Sequence, residues 1–390
     1  MSSSVSGMTA ILNTQLEECI LENGTDYFHA LLHDIKQATH SIDLETFIFS
    51  RDSVGKRVAN ALCDAAKRGV SVRVMVDAWG SPFWSATFAR SLEKAGVKTK
   101  IFHPFPWQLW NWGRANAKTN LLLKVIYLFF TANSRNHRKI CLMDGKIAYV
   151  GSINITQCHL TVAEGGKNWR DTAVRLTGIN LSELLKAFEI AWTHRTIKER
   201  LRDTFQHIRR EPRMRLNYTR HRRRILYKNL LRRVRLSQRR IWITNAYFIP
   251  DNFLLKHLKN AAANGVDVRI LLPKKSNVTI VQWASSTFYY NLLKAGIKIY
   301  EYSPGMLHAK SLILDDWMLI GSSNLNHRSL LHDLEADITL FTDTAKKSLE
   351  QLFLKDLTQS KQLTLNQWKS VRPLHKRILG RLALYLKYWI

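Results

Sequence analysis

The chain has 390 residues, which is enough for two domains of ordinary size, and 46% of them are hydrophobic, which excludes an intrinsically disordered protein. Its 59 lysines and arginines exceed its 30 aspartates and glutamates and give a formal net charge of +29, so the surface should attract a polyanion, either nucleic acid or an anionic membrane. No stretch reaches the roughly 18–20 apolar residues that a membrane-spanning helix needs, so any membrane association is expected to be peripheral.

Strands and helices alternate in the first part of the chain. The apolar run over 41–49 predicts a strand, and two further strands are predicted directly after Gly69 and Gly96. Each of these glycines follows a periodic apolar helix, where glycine is a common C-terminal cap. The alternation predicts an α/β sandwich.

An insertion over 103–133 separates this region from the first motif. It carries Trp107, Trp110 and Trp112 ahead of an apolar run flanked by Arg and Lys. This composition is typical of an element that lies in a membrane interface, and a helical segment packed on the core is the alternative.

The first motif is His137-x-Lys139-x4-Asp144, and it is followed by Gly-Ser-Ile-Asn over 151–154. On a strand His137 and Lys139 point to the same face, because they are two residues apart. Asp144 ends the predicted strand at a turn, and it is either a catalytic residue of the site or a structural one.

The junction over 196–240 is extremely basic. We expect a basic linker over 196–218, which includes Pro212, and then an amphipathic helix that begins at Thr219. The apolar residues at helical spacing are Ile225, Leu226, Leu230 and Val234. The charge density favours contact with acidic lipid headgroups over a merely solvated helix face.

The second part of the chain repeats the first in the same order. Two glycine-capped helices, each followed by a β-rich run, again precede a motif, here His308-x-Lys310-x4-Asp315 with Gly-Ser-Ser-Asn over 321–324. Two copies of so specific a pattern indicate an internal duplication. A pair of such motifs can build one site from two half-sites.

The duplication divides the chain into predicted domains. The first half is expected over 1–195 and the second over 219–360, joined by the basic linker. The remaining segment over 361–390 is predicted to be basic and amphipathic.

The paired motifs suit displacement at a phosphodiester. Imidazole can serve as nucleophile and as acid near neutral pH, because its unperturbed pKa is about 6.5. One histidine would attack phosphorus and form a phosphohistidine, while the other acts as acid and then as base. The groups expected to bind the phosphoryl oxygens are Lys139, Lys310, Asn154, Asn324, Ser152 and Ser322. This chemistry requires no metal ion and no cofactor.

Each histidine also needs a carboxylate on its other ring nitrogen to orient it. Asp171 and Glu335 follow the two Gly-Ser-x-Asn sequences at similar places and are the candidates. Four other histidines are expected to take no part in the chemistry, namely His159, His207, His221 and His332.

The paired motifs resemble the signature of the phospholipase D superfamily, over about residues 20–345. Two phrases, Leu-Glu-Thr-Phe-Ile from Leu44 and Asn-Ala-Tyr-Phe-Ile-Pro from Asn245, are similar to the branch of bacterial cardiolipin synthases without N-terminal membrane helices. The resemblance implies two duplicated α/β sandwich halves packed face to face, with the active site between them, and transfer of a phosphatidyl group to an alcohol. It also implies that His137 attacks and that His308 is the acid and base.

The partners implied by this resemblance are anionic phospholipids, with phosphatidylglycerol first and phosphatidylethanolamine second, at the cytoplasmic face of a bacterial inner membrane. A phospholipase D-type hydrolase and a metal-independent nuclease remain alternatives, because transfer and hydrolysis differ only in whether alcohol or water reaches the phosphohistidine. The charge of +29 also suits nucleic acid. A non-catalytic lipid-binding module is a third reading, which two intact motifs disfavour.

Overall fold

Two mixed β-sheets, one from each half of the chain, organise the fold. A computed structural model describes residues 15–105, 107–115, 133–193, 212–371 and 374–385. The strands of the first sheet are β1 Glu17–Leu21, β2 Ser41–Thr46, β3 Ser71–Asp77, β4 Lys98–Phe102, β5 Ile140–Met143, β6 Ile147–Gly151 and β7 Ala173–Thr177. They lie in the order β1-β7-β6-β5-β2-β3-β4. Strands β2, β3 and β4 are parallel, and the other neighbours pair antiparallel.

The second sheet repeats this plan. Its strands are β8 Met214–Leu216, β9 Arg240–Thr244, β10 Asp267–Pro273, β11 Lys298–Tyr302, β12 Ser311–Leu314, β13 Trp317–Gly321, β14 Ala336–Thr339 and β15 Ser360–Leu363. They lie in the order β15-β11-β10-β9-β12-β13-β14-β8. Strands β9, β10 and β11 are parallel, as are their counterparts β2, β3 and β4. The predicted duplication of an α/β unit is therefore confirmed.

Helices cover the sheets of both halves. Those of the first half are α1 Gly24–Gln37, α2 Ser53–Lys67, α3 Arg90–Lys94 and α4 Ser182–Trp192. Those of the second half are α5 Arg220–Leu236, α6 Asn252–Ala263, α7 Thr279–Ser286, α8 Tyr289–Lys294, α9 His327–Leu331, α10 Asp343–Thr358, α11 Leu365–Val371 and α12 Leu374–Leu384. Gly69 and Gly265 follow α2 and α6 with left-handed φ angles of +92° and +83°, so the predicted glycine caps are confirmed.

One apolar core lies between the two sheets. It joins side chains of the first sheet, such as Leu142 and Val174, to side chains of the second, such as Ile313 and Ile338, and all four are buried. Burial of apolar surface is the main favourable term in folding and association, so this core holds the halves face to face. The predicted packing of two α/β halves against each other is confirmed.

The segments around the second half differ from expectation at two places. Strand β8 pairs with β14, so part of the linker predicted over 196–218 belongs to the second sheet. Strand β15 pairs with β11 and crosses the boundary predicted after residue 360. The helix predicted from Thr219 is α5, with the Thr219 side chain as its N-terminal cap. Residues 194–211 lie outside the described part of the chain.

The insertion is described only in part. Leu109–Arg114 forms a 3-10 turn, which the Arg114 guanidinium fixes through two bonds of 2.7 Å to Glu93. Trp107 is exposed. The apolar run over 116–132 lies outside the described residues, so the interfacial role of the insertion stays a prediction. Within the described ranges, none of the helices has the length and apolar character of a membrane span.

Candidate active site

Main-chain hydrogen bonds between the halves fix the positions of both motif histidines. The amide nitrogen of His137 donates to the carbonyl oxygen of Leu334 at 2.9 Å. The amide nitrogen of His308 donates to the carbonyl oxygen of Arg170 at 2.8 Å. An acidic residue follows each of these carbonyl groups in the sequence. Each histidine therefore lies three residues before its strand, β5 or β12, beside a carboxylate that the other half supplies.

The imidazole rings are paired with carboxylates across the halves. His308 Nδ1 lies 2.7 Å from Asp171 Oδ1, and His137 Nδ1 lies 3.0 Å from Glu335 Oε1. Both carboxylates are buried. Because each Nδ1 is directed at a carboxylate, each Nε2 is available to act on a substrate. The sequence pointed to both acidic residues as orienting groups but did not predict this crossed arrangement.

The Asp171 carboxylate also accepts a hydrogen bond from a second histidine. His159 Nδ1 lies 2.7 Å from Asp171 Oδ2, and His159 Nε2 accepts the amide hydrogen of Asn154 at 3.2 Å. An ionised carboxylate can only accept, so His159 Nδ1 carries a hydrogen that faces Asp171. The sequence assigned His159 no part in the chemistry and did not indicate this positioning task, in which its ring holds both Asp171 and the Asn154 main chain in place.

Ser329 makes the same two contacts in the second half. Its Oγ donates to Glu335 at 2.6 Å and accepts the amide hydrogen of Asn324 at 3.2 Å. Ser329 and His159 each lie five residues after the asparagine of their motif, so they are equivalent positions of the duplication. The two half-sites thus use different side chains, a hydroxyl and an imidazole, for one positioning task.

Burial lowers the pKa of both motif histidines. The pKa of His137 lies well below its usual value because the ring is buried and because the ammonium groups of Lys139 and Lys310 are near. Burial and Lys310 lower the pKa of His308 to about 3, and the attraction of Asp171 opposes this shift. Burial therefore favours the neutral form of both rings.

The motif lysines are buried next to the histidines. Lys139 Nζ donates to the carbonyl oxygen of His137, and Lys310 Nζ donates to that of His308. Burial lowers the pKa of Lys139 to about 8 and that of Lys310 to about 7, although nearby carboxylates favour the charged forms. The site concentrates positive charge that a phosphate group would stabilise.

The two orienting carboxylates differ in their affinity for protons. Burial raises the pKa of Glu335 to about 7, even though two ammonium groups and two serine hydroxyls favour the ionised form. Burial also acts on Asp171, but the two imidazoles beside it hold its pKa well below the usual value. Asp171 is thus the more firmly ionised carboxylate of the pair.

The motif asparagines line the cleft between the halves. Asn154 Oδ1 accepts the amide hydrogen of Ile48 at 3.1 Å, which fixes the carboxamide and leaves its NH2 group as a donor. Asn324 is buried at the equivalent place in the second half. Their position agrees with the phosphate-binding role that the sequence suggested for both.

The hydroxyl groups of the motif serines form hydrogen bonds with other groups of the protein. Ser152 Oγ donates to the carbonyl oxygen of Thr172 at 3.1 Å. Ser322 Oγ donates to Glu335 Oε2 at 2.5 Å and accepts the amide hydrogen of Ala336 at 3.0 Å. Both hydroxyls are buried and engaged, so the phosphate contacts expected of Ser152 and Ser322 are replaced by a positioning role.

The motif aspartates lie at the far ends of the motif strands. The Asp144 carboxylate accepts main-chain amide hydrogens of residues 39–41 at 2.8 to 2.9 Å. The Asp315 carboxylate accepts those of residues 238–240 at 2.9 to 3.0 Å. Five residues of extended chain, about 16 Å, separate each from its motif lysine. These main-chain contacts support the structural alternative for Asp144 and Asp315 over the catalytic one.

The histidines face a cleft with a volume of about 480 Å³. Aromatic side chains form much of its wall, namely Phe47, Trp79, Trp169 and Tyr247. The Phe47 ring centre lies 5.2 Å from that of His137, and the Trp169 ring centre lies 5.5 Å from that of His308. Sequence reasoning missed this wall because no motif connects the four residues. The sequence did place Phe47 in the run over 41–49 and Tyr247 in the phrase that begins at Asn245, but neither position pointed to a cleft.

Two arginines add positive charge to the same cleft. Arg135 and Arg328 both line it. The carboxylate of Asp333 accepts the Arg328 Nε hydrogen at 2.8 Å and the Arg135 amide hydrogen at 3.0 Å. Within the described ranges, no group of three or more His, Cys, Asp or Glu side chains is placed to hold a metal ion.

Solved structures of known proteins share this fold. The phosphatidylserine synthase of Haemophilus influenzae Rd KW20 superposes with a TM-score of 0.67 at 12% identity, over 97% of this chain and 94% of that one. The polyphosphate kinase of Porphyromonas gingivalis superposes with a TM-score of 0.57 at 12% identity, over 87% of this chain and 50% of that one. At such identities the likeness concerns the fold alone.

Sequence comparison defines the family more narrowly. The family described as "Cardiolipin synthase, PLD-like domain" matches residues 31–169 and 230–357. A cardiolipin synthase from Geobacillus sp. (strain WCH70) is 34% identical over 385 residues, which cover 95% of this chain and 72% of that protein. A cardiolipin synthase 2 from Bacillus anthracis is 32% identical over 383 residues, which cover 94% and 70%. The chain therefore belongs to the cardiolipin synthase family of proteins with phospholipase D-like domains, as the paired motifs predicted.

Proposed function

We propose that the protein is a phosphatidyltransferase of the cardiolipin synthase type, which moves a phosphatidyl group from one phospholipid to an alcohol group of another. The observation that carries this proposal is the pair His137 and His308, which line one cleft and are each held by a carboxylate of the other half. Membership of a family whose relatives are named cardiolipin synthases supports the substrate class.

In the first step, neutral His137 attacks the phosphorus atom of the donor lipid through Nε2. A phosphorus–nitrogen bond forms while the bond from phosphorus to the headgroup oxygen breaks. Protonated His308 gives its proton to that oxygen, so the headgroup leaves as a neutral alcohol. The product of this step is a phosphatidyl group on His137.

In the second step, neutral His308 takes the proton of the acceptor hydroxyl. The acceptor oxygen attacks phosphorus, the phosphorus–nitrogen bond breaks, and His137 is regenerated as the neutral ring. His308 is left protonated and is ready for the next donor molecule. The acid of the first step is the base of the second.

The contacts of the two carboxylates support this division of roles. An acid must exist as imidazolium during the cycle, and an ionised carboxylate on its Nδ1 stabilises that form. Asp171, beside His308, has a pKa well below the usual value, whereas the pKa of Glu335, beside His137, is raised to about 7. His308 is therefore the better acid and His137 the better neutral nucleophile.

A phosphodiester that binds in the cleft brings a negative charge, which favours the protonated forms of the nearby basic groups. Its negative charge raises the pKa of His308 and of both motif lysines, so these groups become or stay protonated as substrate binds. Lys139, Lys310, Asn154 and Asn324 then donate to the non-bridging oxygens and stabilise the crowded transition state. His308 and the two lysines thus carry the positive charges that the reaction needs once the phosphodiester is bound.

The proposed substrates are lipids of an anionic membrane. Phosphatidylglycerol is the proposed donor, and phosphatidylethanolamine is the second donor to test, at the cytoplasmic face of a bacterial inner membrane. Aromatic side chains at the cleft support membrane contact: the Trp79 ring centre lies 5.5 Å from that of Phe105, which stacks on Trp107 at 4.7 Å. Trp79 and Trp107 are both more than half exposed, at 56% and 66%, and such rings favour a membrane interface.

Product analysis tests the proposal. The purified protein is incubated in EDTA with phosphatidylglycerol vesicles, beside His137→Ala and His308→Ala variants. Cardiolipin and free glycerol, both absent with either variant, are the expected products. Phosphatidic acid alone would instead make the protein a hydrolase that admits water to the phosphohistidine.

The net charge of +29 keeps a nuclease as a second candidate. Single-stranded DNA in the same buffer tests it, because a nuclease of this mechanism would degrade DNA in EDTA and bind it with a steep salt dependence. Cleavage of DNA without any change in phosphatidylglycerol would overturn the lipid proposal.

A further inference from the structure

Helix α12 packs on α7 through a face of small residues. A side chain at Gly380 would meet the carbonyl oxygen of Trp283 at 2.6 Å, so only glycine permits this approach. Ala383, three residues later, is buried in a cluster with Val281 and Ala284 of α7. This contact fixes which face of α12 points inward.

The opposite face of α12 exposes apolar side chains. Ile378, Leu382 and Tyr385 follow one another at intervals of four and three residues and are 50%, 56% and 82% exposed. At 100° per residue these three positions share one face, directly opposite Gly380 and Ala383. A helix that already buries one face in the protein has no need of an apolar outer face, unless something apolar meets it.

Arginines flank this outer face on one side. Arg377 and Arg381 are one helical turn apart and line a pocket of about 520 Å³, together with Tyr290, Asn291 and Trp368. The Arg377 guanidinium lies over the Trp368 ring, with 4.5 Å between Cζ and the ring centre. Two guanidinium groups at the edge of a polar and aromatic pocket have the chemistry that binds a phosphate group.

The helix stands next to the catalytic cleft. Val281 lines the cleft and belongs to the same apolar cluster as Ala383, and Tyr247 packs against that cluster. Only one layer of side chains therefore separates α12 from the cavity that holds the motif histidines.

We propose that α12 is a membrane-docking element, with Ile378, Leu382 and Tyr385 inserted in the interface of an anionic bilayer. The adjoining arginine pocket then seats the phosphate of a phospholipid that is not the substrate. A basic flank beside an apolar stripe matches a surface of anionic lipids. A second copy of a chain with charge +29 matches it poorly, because like arginines would meet. The inference rests on the proposed function, in which the cleft must reach lipids.

Vesicle flotation tests the docking. It compares vesicles of phosphatidylcholine alone with vesicles that also contain phosphatidylglycerol, and it uses the His137→Ala background so that turnover plays no part. The Ile378→Ser/Leu382→Ser variant is expected to lower partitioning onto the mixed vesicles by about tenfold or more, because it removes two apolar side chains that would insert in the bilayer. The Arg377→Gln/Arg381→Gln variant is expected to lower it by about tenfold on the mixed vesicles, with little change on phosphatidylcholine alone.

The matched control is Phe253→Ser, which removes an apolar side chain that is 66% exposed and lies on α6 rather than α12. It is expected to bind vesicles as the parent does, and thermal unfolding checks that all variants fold. Unchanged binding of the α12 variants, or an equal loss in the Phe253 variant, would overturn the inference. Normal vesicle binding by an α12 variant that has lost self-association in gel filtration would also overturn it, because the apolar face would then meet a second copy of the chain. A protein that binds vesicles through α12 but converts no lipid would overturn the proposed function and not this inference.

Discussion

Asp171 Oδ1 lies 2.7 Å from His308 Nδ1, although 137 residues separate the two along the chain. The complementary pair, His137 and Glu335, is 198 residues apart. Neither half orients its own imidazole. The alignment of both rings therefore depends on how the two sheets dock, and a change at their interface reaches the chemistry directly.

Substitution of Asp171 by Asn should impair the acid step. The carboxamide keeps the shape of the side chain but cannot stabilise an imidazolium at His308, so the rate of phosphatidyl transfer is expected to fall by about 10³- to 10⁴-fold. The rate should recover with a phosphodiester that carries a nitrophenol leaving group, because that oxygen needs no proton. Initial rates on both substrates measure the difference.

The matched control is Glu335→Gln, which affects the partner of the nucleophile. It is expected to lower the reaction rates of both substrates by similar factors, because attack by His137 on phosphorus is part of the step with either leaving group. Equal behaviour of the Asp171 and Glu335 variants on the two substrates would contradict the assigned roles.

The phosphohistidine should be trapped on one ring only. In His308→Ala, the activated phosphodiester is expected to phosphorylate His137, and the intermediate should persist because no base activates the acceptor. Intact-protein mass spectrometry at alkaline pH would detect the added group. His137→Ala should show none. The opposite pattern would exchange the roles of the two histidines.

The pH dependence of kcat/KM should have a narrow maximum close to pH 7. As the pH falls through about 7, Glu335 gains a proton and loses the charge that orients His137. As the pH rises through about 7, Lys310 loses its proton, so the site loses a positive charge that would stabilise the phosphate. Both limbs belong to the free enzyme, which kcat/KM reports.

Two variants assign these limbs. Lys310→Arg cannot lose its proton in this range, so the alkaline limb should move to higher pH. Glu335→Gln should abolish the acidic limb. A profile that stays flat from pH 6 to pH 8 in the parent enzyme would show that neither group titrates during turnover.

His159 should behave as a positioning residue. His159→Ala leaves Asp171 with one donor fewer and the Asn154 amide without its acceptor, so kcat is expected to fall by about 10- to 100-fold with a smaller change in KM. His159→Ser should restore part of the loss, because a hydroxyl does both tasks in Ser329. Identical kcat values for the Ala and Ser variants would argue against this equivalence.

Glu45 should matter for stability. Its buried carboxylate lies 3.3 Å from the Arg138 guanidinium, which is itself buried, so Glu45→Ala leaves a charge without its counter-ion. The free energy of unfolding is expected to fall by about 3–5 kcal/mol. The control is Thr244→Ala at the equivalent strand position, where Ala309 stands in place of Arg138. Chemical denaturation measures both, and an equal loss would contradict the ion-pair explanation.

Much of the fold followed from local patterns. Glycines after apolar helices and strands at regular places predicted the α/β alternation, and the repeated motif predicted the duplication. The crossed carboxylates could not be predicted, because the pairing of Asp171 with His308 depends on how one sheet docks on the other. Local spacing carries no information about that docking.

The errors at the site have a similar origin. Asp144 belongs to the motif by spacing, yet its partners are main-chain amides of a neighbouring strand, which no one-dimensional pattern reveals. His159 stands outside the motif, so no sequence pattern indicates its task. That task is visible from its hydrogen bonds and from the equivalent position of Ser329 in the second half.

The exchange of carboxylates bears on how such a site can arise and change. A single copy of the repeat holds an imidazole but not the acidic group that orients it, so an ancestral one-copy chain would have needed a twofold-related partner to be active. Two copies joined in one chain can differ in sequence, which identical subunits cannot. His159 and Ser329 are such a difference at equivalent positions. It allows one half to specialise in attack and the other in proton transfer, while each still depends on its neighbour.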